Sequence, residues 1–312
     1  MRDALKEIGV FVKHLLSVRD LKKEDVLSYF RKIEKMEEEV RKGRTNLLED
    51  KIIATLFFEP STRTKLSFQT AAKRLGAQVV NFNADASSLK KGESLMDTIR
   101  IIDGYVDAIV IRHEIEGAAR FASEIATHPV INAGDGANQH PSQTLIDLYS
   151  IKKLRGKISG LNVTLFGDLK HARAMHSLFY GVAMFNRNIA LVAPPGLSFD
   201  ERTVEEVETE FGVKVTVKEK PEIDDCDVLY VCRIQKERFS DPYEAERVKK
   251  EFMLTQETLK KAKKDMIILH PLPKIDEIAH EVDSDSRAKY FQQAQLGVPV
   301  RMAILADLFG KV

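Results

Sequence analysis

Ile52-Ile53-Ala54-Thr55-Leu56-Phe57-Phe58-Glu59-Pro60-Ser61-Thr62-Arg63-Thr64-Lys65-Leu66-Ser67-Phe68 decides how the chain folds. The run from Ile52 to Phe58 is continuously apolar, the signature of a parallel strand buried on both faces. After the turn at Glu59-Pro60, Leu66, Ala72 and Leu75 recur at helical spacing, and Gly76 suits the stop. Ser61 to Thr64 therefore stand where a strand becomes a helix. The first helical turn has unpaired backbone N–H groups and the positive end of the dipole. Hydroxyls and a guanidinium on that same turn make an anion cradle, with phosphate the obvious anion. An ordinary N-cap, with Ser61 or Thr62 satisfying the helix, is the plainer reading of the turn taken alone.

The same grammar repeats outward. A helical face of Val26, Tyr29, Phe30, Ile33 and Met36 precedes the turn, closed by Gly43. After it, strands are expected at 77–82, 108–112 and 129–132, with helices at 94–103, 117–126 and 138–154. The second half places strands at 162–166, 189–193, 213–217, 227–231 and 266–269. Helices are expected there after the Gly167-Asp168-Leu169 turn through 185, at 203–211, 244–252 and 255–263, and last at 300–309. Two runs of alternating strand and helix imply an α/β protein of two domains, each a parallel sheet flanked by helices. In such sheets ligands bind beyond the carboxyl ends of the strands. The polar clusters fall there: after 58, 112, 132, 166, 231 and 269.

Composition narrows the function. The chain has 312 residues, 30% of them charged, yet the net charge is only +1, which argues against a general nucleic-acid binder. Two cysteines, Cys226 and Cys232, are too few for a disulfide framework or a zinc site, so free thiols in a reducing cytoplasm are expected. No leader is visible in Met1 to Glu7, and no run approaches the ~18 apolar residues of a membrane span. The strand ends supply Ser61, Thr62, Arg63, Thr64, Arg112, His140 and Gln143 from the first half. The second half supplies Arg173, Arg233, Gln235 and the Pro271-Leu272 backbone. Several arginines with few carboxylates beside them imply polyanionic ligands, with Glu59 and Asp168 as the expected partners of those arginines. Nothing has the spacing of an activated nucleophile or of a metal-binding helix. The chemistry expected is direct transfer, driven by positioning and charge stabilisation without a cofactor. Asp103, Asp107 and Asp147 read as ordinary caps and surface positions.

Taken together, these stretches resemble the aspartate/ornithine carbamoyltransferases, and among them the aspartate branch. The likeness is carried by Phe57 to Thr64, Lys91-Gly92-Glu93, Gly134-Asp135-Gly136 with Asn138 to Gln143, Gly167 to Lys170, Arg233 to Arg238 and His270-Pro271-Leu272-Pro273. It implies transfer of the carbamoyl group of carbamoyl phosphate to L-aspartate, an early step of pyrimidine synthesis. It also implies a carbamoyl phosphate domain of residues 1–149 plus 292–312, with the last helix returning to it, and an aspartate domain of 150–291. By resemblance, Ser61 to Thr64 and Arg112 hold the phosphate, with Ser88 and Lys91 reaching a neighbouring subunit's site in a homotrimer. The loop leaves Ser87 or Ser88 open. Thr64, Arg112 and His140 surround the carbonyl oxygen, where negative charge builds as the amine attacks. Gln143 and the Pro271 carbonyl hold the carbamoyl amino group, and Arg63 stands near the bridging oxygen as phosphate leaves. Arg173 binds the α-carboxylate of aspartate. Arg233, Gln235 and Lys91 bind its side-chain carboxylate, beside Leu272, and Glu59 ties the domains through Arg173 and Arg233. Some relatives add a zinc-bearing regulatory chain, and residues 114–120 could meet such a partner. An ornithine-specific relative would need carboxylates or a thiol for a cationic side chain, whereas Arg233 would repel it.

Overall fold

A computed structural model describes residues 13–83, 91–234 and 241–312. Ser87, Ser88 and Gln235 lie outside the described residues. The chain forms two compact units, one reaching up to Leu145 and rejoined by Gly297–Val312, the other Ile146–Leu296.

The first unit is a four-stranded parallel sheet of β1 (Ile52–Phe57), β2 (Gln78–Asn83), β3 (Ala108–His113) and β4 (Val130–Asp135), in the order β2-β1-β3-β4. β1 is buried from Ile53 onward, as its apolar run requires. Alternate side chains serve opposite faces. Ala54, Leu56, Ile109 and Ile111 pack in one cluster with Ile99 of α3 (Leu95–Asp103) and Ala119 and Ala122 of α4 (Ala118–Ile125). On the other face, Thr55 Oγ1 accepts a hydrogen bond from Gln69 of α2 (Thr62–Arg74). α1 (Lys23–Lys42) buries the five residues whose spacing marked its apolar face, and Gly43 follows it. The last helix, α10 (Gly297–Leu308), packs on α1 and α2. It is buried along its whole length, so a chain end becomes core of this unit.

The second unit has five parallel strands, β5 (Asn162–Phe166), β6 (Asn188–Val192), β7 (Lys214–Lys218), β8 (Val228–Val231) and β9 (Ile267–Leu269), in the order β7-β6-β5-β8-β9. Phe166, Leu229, Val231 and Ile268 join a core with Val248 and Phe252 from around α8 (Pro242–Glu251) and with Tyr290. The remaining helices are α5 (Pro141–Arg155), in which the division between units falls, α6 (Arg173–Ala183), α7 (Glu201–Phe211) and α9 (Tyr290–Gln295).

Several local expectations need correction. The helix expected at 255–263 is one 3-10 turn, Thr258–Lys261, with only Leu259 buried. Thr255 and Thr258 exchange bonds between backbone N–H and hydroxyl groups in the manner of a capping box, which starts the turn, and Ala262 in extended conformation ends it. α6 starts at Arg173, because Asp168 to Ala172 form a turn. β4 runs through Gly134 and Asp135, so that motif belongs to a strand end. α9 was not foreseen, and α10 begins three residues before the expected start.

Candidate active site

In the first unit, connections leave β1 and β3 toward opposite sides of the sheet. A crevice must form beyond their carboxyl ends, at the point where the strand order reverses. The Ser61 to Thr64 turn lies at one lip of that crevice and Arg112 at the other. Ser61 is the N-cap of α2 in extended conformation, but its side chain makes no capping hydrogen bond. The plainer reading of the turn therefore fails for Ser61. The first turn of α2 has no acidic residue. Ser61 is half-buried, Thr62 and Arg63 are exposed, and Thr64 is buried. A helix start with an uncommitted hydroxyl and a guanidinium that burial partly desolvates is chemically an anion receptor.

Arg112 sits opposite Phe57 in the β1–β3 register, and its carbonyl accepts the Phe58 N–H at 2.9 Å. Its Nε donates to Glu59 Oε1 at 2.5 Å, so the expected pairing of Glu59 with an arginine is met within this unit. β4 delivers His140 to the same edge. The Thr64 hydroxyl lies 3.5 Å from His140 Nε2, and the Ser142 hydroxyl lies 3.4 Å from Nδ1. Both ring nitrogens of a buried imidazole thus face neutral hydroxyls. The backbone N–H of half-buried Gln143 donates to the His140 carbonyl at 2.9 Å. Lys91 is exposed.

The loop before His140 is tied to one carboxylate that the sequence reading treated only as part of a motif. Asp135, 2% exposed, accepts from Asn132 Nδ2 at 2.8 Å and from the Gln139 N–H at 3.1 Å on one oxygen. On the other it accepts from the Gly117 N–H at 2.8 Å and Asn138 Nδ2 at 3.1 Å. Gly136 permits the turn with φ +51°, and a Cβ there would stand 2.3 Å from Glu116 Cγ.

The second unit has its own reversal point, between β5 and β8. Arg173 opens α6 beyond β5, and Arg233 follows β8, both half-buried. Gly167 makes the β5 turn possible: with φ +117°, a Cβ would meet the Cys232 carbonyl at 2.3 Å. Asp168 is fully buried, but it serves its own turn. One oxygen accepts the His171 N–H at 3.1 Å, and both lie 3.0–3.1 Å from His171 Nδ1. The expectation that Asp168 partners an arginine is therefore corrected, because the turn's own imidazole takes its lone pairs.

Beyond β9, Pro271 and Leu272 are half-buried and Leu272 has φ 56°. The Leu272 N–H donates to His270 Nδ1 at 2.8 Å, and His270 Nε2 lies 2.8 Å from Glu277 Oε1. Burial pushes the Glu277 carboxyl up, but the hydrogen bond and charge of His270 outweigh it and hold it below its usual value. The His270 N–H donates to Gln293 Oε1, and Gln293 donates to Asp147, which also accepts the Tyr230 hydroxyl. Asp147 is fully buried, not a surface position, and Asp103 is buried under Thr127 and His128. Asp135 left one usable signal in the sequence, an acidic residue in a Gly-rich stretch with Asn132, Asn138 and Gln139 close by, whereas the Asp147 partners Tyr230 and Gln293 are distant in sequence.

Two family domains match the chain. The carbamoyl-P binding domain of the aspartate/ornithine carbamoyltransferases matches residues 13–153, and the Asp/Orn binding domain matches residues 159–308. The aspartate carbamoyltransferase catalytic subunit of Archaeoglobus fulgidus is 52% identical over 299 residues, covering 95% of this chain and 99% of that one. Its counterpart in Methanocaldococcus jannaschii is 50% identical, covering 95% and 98%. Among solved structures, a catalytic subunit of aspartate transcarbamoylase from M. jannaschii superposes with TM-score 0.89 at 49% identity, covering 95% of this chain and 98% of that chain. Aspartate transcarbamoylase from Trypanosoma cruzi, in complex with carbamoyl phosphate and aspartate, superposes with TM-score 0.88 at 35% identity, covering 96% of each.

Proposed function

Because this chain belongs to the aspartate/ornithine carbamoyltransferase family, we infer that it transfers the carbamoyl group of carbamoyl phosphate to L-aspartate, releasing phosphate. The observation that carries this reading is the α2 turn, where an uncapped helix start, Arg63 and the Glu59-held Arg112 frame one anion site with His140 against Thr64. The branch of the family is supported by arginine at 233, and by relatives at about half identity that are named for aspartate.

The first unit acts as the carbamoyl phosphate domain and the second as the aspartate domain. Ser61, Thr62, Arg63, Thr64 and Arg112 take the phosphate, completed by Ser88 and Lys91 of a neighbouring subunit. The amine of aspartate attacks the carbonyl carbon, and Thr64, Arg112 and His140 stabilise the oxygen as its charge grows. Gln143 and the Pro271 carbonyl orient the carbamoyl nitrogen. The tetrahedral intermediate collapses as the C–O bond to phosphate breaks, with Arg63 beside the departing oxygen. Arg173 takes the α-carboxylate, and Arg233, Gln235 and Lys91 take the β-carboxylate near Leu272. Arginine suits both ends because its planar fork matches carboxylate and phosphate oxygens. No residue here needs a cofactor for this reaction.

The working assembly is a homotrimer in the cytoplasm, serving pyrimidine synthesis. Supporting it, the edge strand β2 leaves Val80 47% exposed and α2 leaves Leu66 57% exposed, apolar surface that a second copy would cover. The exposed Glu114 to Glu116 segment offers a place for a regulatory chain. Among the described residues, no helix is long and apolar enough to cross a membrane.

The test is product analysis. Purified chain given carbamoyl phosphate and L-aspartate should form N-carbamoyl-L-aspartate and phosphate in equal amounts. Phosphate release without the carbamoylated product would leave a phosphatase and overturn the reading.

A further inference from the structure

Asp135 is assigned no contact with substrate, yet its carboxylate is fully engaged at the first unit's site edge. Its two oxygens accept four hydrogen bonds, from Asn132, Gly117, Asn138 and Gln139. That uses the whole acceptor capacity of a carboxylate, about four lone pairs. Its own N–H donates to the Gln139 carbonyl at 3.2 Å, and its carbonyl accepts the Asn138 N–H at 3.0 Å. Both peptide groups of Gln139 are thereby pinned to Asp135. The next residue is His140, whose ring meets Thr64.

The same carboxylate reaches the neighbouring strand. Gly117 belongs to the connection that follows β3, five residues beyond Arg112. The Gly136 N–H closes the same connection by donating to the His113 carbonyl at 3.0 Å. One buried anion therefore clamps the loop carrying His140 to the loop that leaves Arg112.

We propose that Asp135 is a positioning residue for the transfer step, which sets the orientation of the His140 imidazole against Thr64 by clamping the loops beyond β3 and β4. This rests on the role of His140 given above. A purely local role, satisfying a tight turn, predicts something different: loss of stability with no energetic link to His140.

The substitution Asp135→Asn separates the two. Asparagine keeps the shape but turns one acceptor oxygen into an NH2 that faces two donors, so half the clamp is lost whichever way the amide lies. We expect kcat to fall about a hundredfold, the scale on which an ångström of misplacement acts. KM for carbamoyl phosphate should change less than about threefold, since the α2 turn is untouched. The decisive readout is a double-mutant cycle with His140→Ala. If Asp135 works through His140, then Asp135→Asn costs less than about threefold in kcat once the imidazole is gone. Equal losses with and without His140, or an unchanged kcat in Asp135→Asn, would overturn the positioning role alone. Wild-type turnover in His140→Ala would remove His140 from the mechanism, and this proposal with it, whereas failure of the product analysis would overturn the functional reading itself. Should Asp135→Asn fail to fold, Asn138→Ala removes one of the four donors from an exposed position. A smaller kcat loss there, again absent in the His140→Ala background, supports the proposal, and additivity opposes it.

Discussion

Arg63 stands on the first turn of α2 with its side chain exposed, so removing it leaves the fold almost untouched. Arg63→Ala should unfold at nearly the wild-type denaturant midpoint while losing about 2.7–4 kcal/mol of transition-state stabilisation. Steady-state kinetics beside a denaturant titration checks both halves, and wild-type turnover would remove Arg63 from the mechanism. Gly167 is the reverse case. A methyl group there meets the Cys232 carbonyl, and the φ of +117° strains any L residue. Gly167→Ala should lose more than about 2 kcal/mol of stability by denaturant titration. The anion turn was legible in the sequence because its neighbours in the chain are also its neighbours in space. Asp147 was not, because Tyr230 and Gln293 lie far along the chain, and of the Asp135 contacts only the local ones could be read, not the reach to Gly117 beyond the neighbouring strand.

At the scale of elements, charge decides two anchorages. Asp307 near the end of α10 has a side chain only 5% exposed and bonds both Lys13 and Lys32. Burial pushes its carboxyl up, but the two ammonium groups outweigh that and hold it below its ordinary value. Asp307→Asn should cost about 1–3 kcal/mol, less than a fully buried pair because Lys13 is half exposed, and calorimetry would register it as a lower Tm. Asp285 accepts from the Arg287 side chain and backbone, which lowers its pKa from 3.8 to about 2. A depressed carboxylate stabilises the fold above its unfolded value and loses that contribution as pH falls through the folded one. Asp285→Asn should therefore cost about 1 kcal/mol at neutral pH, the upper range of an ion pair near the surface. The gap in Tm between variant and parent should close between pH 4 and pH 2. A gap that persists at pH 2 would point to lost packing instead. Helix α1 could be read off because its five buried residues keep strict periodicity. The turn at 258–261 could not, because its capped start resembles that of a full helix and nothing local announces that the backbone turns extended at Ala262.

For the whole molecule, the alternation of strand and helix made the two parallel sheets legible, but not the order of strands within them. That order matters: it puts β1 beside β3 and β5 beside β8, and so creates the two reversal points where the arginines stand. The return of α10 to the first unit came from resemblance, since its all-round apolar sequence says only that it is buried. The proposed trimer, with sites shared between subunits, makes a prediction of its own. Lys91→Ala and Arg112→Ala should each be inactive, yet trimers reassembled from an equal mixture should regain about a quarter of wild-type activity, because random pairing leaves that share of sites intact. Mixtures that stay inactive would mean that each chain carries a complete site.

The most direct measurement is acceptor choice: kcat/KM for L-aspartate against L-ornithine with carbamoyl phosphate saturating. An acceptor side built on Arg233 predicts a preference for aspartate of at least about 10⁴, the discrimination a charged polar pocket achieves. Comparable turnover of ornithine, or none of aspartate, would contradict it.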